Sequence, residues 1–214
     1  MRRVAHALLP CRLTMQRLAR QQGYSLVDVL IVAGLISVVS AMAVPMIGTA
    51  VSGQRIQDEA QTLNSLVGQA KMRASSMFTW ARVRVNTLDG TYALERWDKT
   101  ANAWVMEGGL NRLSQQSRFG FGTLATPPPN TQAAIGQSAA CRVGVVVGSG
   151  PIGNTACILF NSRGLPIDGD GNLFGGHALY LTDGRAVYGT TVTATPRIRL
   201  WWTPAPAANW SEQQ

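Results

Sequence analysis

Few residues in this chain combine the type and spacing that chemistry needs. His177 has no cysteine, serine or acid in motif spacing with it, and the other histidine, His6, lies near the start, so nucleophilic and zinc chemistry lack their partners. The segment IDGDGN sets Asp168, Asp170 and Asn172 at alternate positions, a spacing that suits calcium. The helix-loop-helix calcium motif, however, wants glycine where Leu173 stands and glutamate where Leu179 stands, which makes a polar turn the plainer expectation. No phosphate-cradling glycine loop is present. The chain therefore reads as a non-enzyme without a cofactor.

Two other groupings carry chemistry. In TPRIRLWWTPAPAANW, Arg197 and Arg199 fall on one face of a strand, with Arg185 nearby in sequence, and Trp201, Trp202 and Trp210 interleave aromatics with the charge. That combination can hold a nucleic-acid backbone and stack on bases; the alternative is a solvated strand face beside a tryptophan-capped core. Cys141 and Cys157 start or end strands placed symmetrically about Ser149, so in an oxidising compartment a hairpin sets them opposite each other as a disulfide. The alternative is two small buried apolar side chains.

The remaining candidate is Asp28, the one charge between Tyr24 and Ile47. Those residues make a helix of about 36 Å, enough for a bilayer core of roughly 30 Å. An unpaired carboxylate at that depth costs roughly 2.5–3.5 kcal/mol on insertion scales. The net charge of +8 is concentrated ahead of this run: five arginines precede Gly23, leaving fourteen basic against eleven acidic residues after it. Positive charge before the run puts the N-terminus in the cytoplasm and the rest of the chain outside. A cleaved secretory signal ending at Ala41–Ala43, a permanent anchor and a specialised leader all fit the basic start.

Gly23, Tyr24, Ser25, Leu26, Val27 and Asp28 resemble the type III leader of type IV pilins and type II secretion pseudopilins, with Tyr24 and Asp28 where that family usually has Phe and Glu. The resemblance implies cleavage between Gly23 and Tyr24 by a prepilin peptidase, methylation of Tyr24, and filament assembly in which Asp28 neutralises the amine of a neighbouring subunit's Tyr24. A pairing of Tyr24 with Asp28 within one helix is the local alternative. Pro45 stands where pilins often carry a helix-kinking proline. Met15 begins a leader of ordinary length for the family, MQRLARQQG; from that start Cys11 is never made.

Positioning these residues requires one long helix and a sheet-rich domain. After Gly48, Leu63, Leu66, Val67, Ala70, Ala74 and Met77 form an apolar stripe, preceded by an exposed polar turn from Gln54 to Glu59. From Ala81 the period drops to two, with Val83 and Val85 alternating with arginines, a turn at Leu88 to Gly90, and a third strand in AWVMEGG. Further strands are expected at 119–124, 142–147, 157–161, 178–182, 185–191 and 197–202, and TPPPNTQAAIGQSAA reads as a loop. The fold class is α+β, a transmembrane then amphipathic helix packed on antiparallel sheets. The organisation is leader 1–23, membrane half of the helix 24–47, amphipathic half 48–80 and periplasmic β-rich domain 81–214.

The helix, the tryptophan-ended hairpin, ILFNSRGLP and LTDGRAVYGTTVTATPRIRL together resemble the GspH/FimT class of minor pilins. This implies a pilin-like fold, a place in a type IV pilus or type II secretion pseudopilus, and an inner-membrane origin with a periplasmic domain. Its partners would be prepilin peptidase, the inner membrane and other pilins or pseudopilins. Some FimT-type pilins bind DNA through G-R-x-R, which Pro196 to Arg199 resembles as P-R-I-R.

Overall fold

The computed structural model describes residues 25–146 and 148–213, with the backbone alone for 42–52. Gly23, Tyr24 and the leader 1–23 lie outside the described residues. Contacts divide the chain into two compact units, Met1–Ile47 and Gly48–Gln214. Helix α1, Leu26–Ser76, belongs to both and runs through Pro45, whose side chain is outside the description.

In the second unit α1 buries a single face. Ile56, Ala60, Leu63, Val67, Ala70 and Ala74 are all at most 1% exposed, and their alternating spacing of four and three keeps them in one stripe. The stripe thus starts inside the segment expected to be a polar turn. Met77 drops out of it: the helix stops at Ser76, and Met77 is exposed.

Two five-stranded antiparallel sheets share this face. The first contains β1 (Ala81–Asn86), β2 (Thr91–Asp98), β3 (Ala103–Arg112), β5 (Thr155–Phe160) and β6 (Pro166–Ile167), in the order β3-β2-β1-β5-β6. The second contains β4 (Arg118–Phe119), β7 (His177–Thr182), β8 (Ala186–Val192), β9 (Ile198–Pro204) and β10 (Ser211–Gln213), in the order β10-β9-β8-β7-β4. Val83 and Val85, Ile158 and Phe160, Leu179 and Leu181, and Leu200 meet the α1 stripe in one core. A smaller cluster of Ala178, Tyr180 and Val187 lies beneath Leu124, Phe121, Ile135 and Trp210. The expected loop 126–140 covers it, and Gln137 behaves as a missing strand: its side-chain amide accepts from Tyr180 N–H and donates to Tyr180 O, at 2.9 and 2.8 Å.

Two strand expectations need correction, and two short strands were not foreseen. Residues 142–146 form no strand, and only Arg142 and Pro151 bridge. Gly144, Gly148 and Gly150 weaken pairing there and Pro151 lacks an N–H; Val147 lies outside the described residues. The expected strand 119–124 shrinks to β4, because Gly120 and Gly122 adopt positive φ of 149° and 60°. β6 and β10 are the unforeseen ones, since two residues, or three polar ones, carry no periodic signal.

Candidate assembly site

The first unit offers one arrangement with chemical content. Ser25 starts α1 by accepting Val27 N–H at its Oγ (3.3 Å), and the Asp28 carboxylate accepts Ser25 N–H (3.2 Å). This reciprocal pair is a capping box, with the acid also placed favourably at the positive end of the helix dipole. Asp28 therefore has a local role that its setting in an apolar run did not suggest. Its pairing with a Tyr24 amine, within or between subunits, falls outside the described residues.

Behind the cap, every large apolar residue described between Leu26 and Val39 is more than half exposed, from 53% at Val32 to 75% at Leu26. They surround the helix instead of lining one face. A helix apolar on all sides needs an apolar environment all round it, and burying one such side chain is worth about 1.5–3 kcal/mol. Among the described residues no helix is long and apolar enough to cross a membrane; the expected span, 24–47, extends beyond the side chains that are described.

Elsewhere the sequence candidates take structural places. Cys141 and Cys157 are joined, Cα to Cα 5.0 Å, although the antiparallel turn of 141–143 on 150–152 sets Cys141 opposite Ile152 and not Cys157. Ala139 accepts Cys157 N–H (2.9 Å) and Thr155 Oγ1 accepts Cys141 N–H (3.1 Å), so residues 139–141 run beside β5 itself. His177 is buried, its Nε2 2.9 Å from Ile167 O and its Nδ1 3.4 Å from Ser138 Oγ. Burial holds its pKa below the ordinary imidazole value, against smaller upward pulls from Ile167 O and Asp168.

Asp168 Oδ1 accepts the N–H groups of Asp170 and Asn172, both at 2.9 Å. Partial burial works to raise this carboxyl, but the backbone donors outweigh it and hold it below the ordinary range. Asp170 turns instead to Arg142, at 2.8 Å, and Asn172 stays with Asp168. Among the described residues no set of His, Cys, Asp or Glu is placed to hold a metal.

The basic cluster is partly neutralised. Glu212 on β10 lies 3.8 Å from Arg197 and 3.6 Å from Arg199, while Arg185 sits in the β7–β8 turn. The tryptophans are tied into the fold: Trp201 is buried and donates Nε1–H to Thr191 Oγ1 (2.9 Å), Trp202 is half-buried against the main core, and Trp210 donates to Thr126 O (2.9 Å). Trp201 is therefore not available to stack on a base.

One feature escaped the sequence reading. Arg82 on β1 is 3% exposed and pairs across the hairpin with Glu95 on β2, Nε to Oε2 2.6 Å. Its Nη2 also meets Glu95, its Nη1 donates to Arg142 O (2.6 Å), and its guanidinium lies 3.9 Å over the Trp104 ring. The alternation around Val83 placed Arg82 on the outer face; nothing in it signalled that the disulfide-held segment roofs that face.

No family model matches the chain, and no curated protein matches it. Among solved structures it is similar to the minor pseudopilin EpsH from the type 2 secretion system of Vibrio cholerae, at 11% identity, over 68% of this chain and 95% of that chain, with a TM-score of 0.41.

Proposed function

We propose that this chain is a minor pilin or pseudopilin, a non-enzymatic subunit that assembles into, or primes, a type IV pilus or type II secretion pseudopilus. The observation that carries the reading is the all-round apolar, exposed helix from Leu26 to Val39 with a single acid in its first turn, continuous with a helix that forms part of a folded domain's core. Such a segment exchanges one apolar environment, the bilayer, for another, the helices of neighbouring subunits. In this reading prepilin peptidase cuts after Gly23, Tyr24 is methylated, the domain after Gly48 is periplasmic, and Asp28 neutralises the incoming amine.

The capping box gives the test its shape. Asp28→Asn keeps an oxygen able to accept Ser25 N–H and drops the charge; Asp28→Ala drops both. Breaking a buried charge pair costs about 3–5 kcal/mol, so both variants should be cleaved normally and both should be depleted from sheared filaments. Normal incorporation of Asp28→Asn would contradict the pairing role and leave Asp28 as a cap.

A second reading, DNA binding for uptake, is favoured by Arg197, whose side chain is 62% exposed. With Glu212 beside both arginines, binding should be weak, fall steeply with salt, and lose about one unit of salt slope per phosphate contact when Arg197 and Arg199 become Gln. An anisotropy titration at low salt decides it; no binding, or binding that the double variant retains, removes the reading.

A further inference from the structure

Between α1 and strands β8, β9 and β10 lies an open groove of about 500 Å³. Ile56 and Tyr188 in its lining are buried, so the surface it presents is Trp202, half-buried against the core, and a set of polar side chains. Gln54 and Gln57, at i and i+3, share one face of α1; Gln213 of β10 and Asp183 and Arg185 of the β7–β8 turn complete the set. Asp183 Oδ1 accepts the N–H groups of Arg185 and Ala186, at 2.8 and 2.9 Å. Those bonds fix the carboxylate and leave Oδ2 for a ligand.

This lining selects against most ligand classes. One carboxylate and one guanidinium cancel, so the groove has no net charge with which to hold a polyanion. An apolar ligand would strip water from the glutamine carboxamides and return no hydrogen bonds. A hydroxyl is both donor and acceptor, as each carboxamide is, so a polyol can pair with all of them. The indole of Trp202 adds a negatively polarised ring face, and a pyranose whose hydroxyls are all equatorial has bare C–H faces of the opposite polarity.

We propose that this groove binds a neutral saccharide of β-gluco configuration, with one ring against Trp202 and its hydroxyls shared by Gln54, Gln57, Asp183 and Arg185. The volume holds about two pyranose rings. Such binding is separate from assembly and needs no filament.

The test uses the purified full chain in a detergent whose head group carries no sugar. Cellotriose and chitotriose are titrated in turn, followed by tryptophan fluorescence and calorimetry. At least one should bind saturably with a Kd in the millimolar range or below, and the better of the two tells a plain glucan from an acetamido-substituted one. Because the ligand is neutral, Kd should be the same at low and moderate salt. Gly53 also lines the groove, and a Cβ added there meets nothing within 4 Å. Leucine is the better helix former, so Gly53→Leu should hold or raise the Tm while weakening binding at least tenfold. Arg185→Ala, at an exposed turn position, should weaken binding at least threefold with the Tm unchanged. No saturation with either sugar, affinity that both variants retain, or binding lost at moderate salt would each overturn the proposal.

Discussion

His177 shows how one buried group sets a pH response. Its pKa is held below the ordinary 6.5 mainly by burial, with Asp168 and Ile167 O pulling the other way and the Phe174 ring 4.9 Å from it. Above the unfolded value both states are neutral and the residue adds no pH dependence. Below it the unfolded chain takes the proton first, so stability falls as pH drops towards the folded value, with a slope of at most about 1.4 kcal/mol per pH unit. Thermal unfolding at pH 7.5 and 5.5 should therefore show a larger loss for the wild type than for His177→Gln, even though the variant starts less stable. Equal losses would place the acid sensitivity elsewhere. Arg82 and Glu95 behave differently: removing Glu95 leaves the buried Arg82 without its counter-charge, whereas Glu95 keeps Arg84 at 3.2 Å when Arg82 is removed. Glu95→Gln should cost about 3–5 kcal/mol in denaturant unfolding, whereas the joint change to Met and Leu should cost far less. Similar losses for both would mean that packing, not charge, holds that face.

At the scale of elements, periodicity was informative where one face of an element meets one core. The alternation of Val83 and Val85 and the apolar runs of β5, β7, β8 and β9 predicted strands that the structure contains. The α1 stripe was legible from Leu63 onward but not at Ile56 and Ala60, because flanking Gln, Arg, Asp and Glu residues masked these two buried positions. Segment 142–147 misled for the opposite reason: its valines read as a strand, but its glycines leave only the single Arg142–Pro151 bridge. The candidate site divides in the same way. The lone acid of the apolar run was visible in sequence, whereas the capping box needed the geometry of Ser25, and the buried Arg82 needed the roof that closes over it. That roof depends on the disulfide, whose loop spans 16 residues and is worth about 3 kcal/mol in the chain-entropy model. Replacing both cysteines by Ser should lower stability by about that much and increase protease cutting near Arg142. Unchanged cutting would mean that the loop is held by its hydrogen bonds to Thr155, Arg82 and Asp170 without the disulfide.

For the whole molecule, two compact units share one helix, and each answers a different physical demand. The unit after Gly48 satisfies itself: helix and both sheets close one core. The described helix before it does not, because its apolar residues face outward on every side. A filament subunit drawn from a membrane reconciles the two, and processing at the leader is the step on which that account depends. The direct measurement is the intact mass of the protein extracted from membranes of cells that hold a prepilin peptidase. The account predicts a chain beginning at a methylated Tyr24; a chain beginning at Val44, or one with its leader uncut, would contradict it.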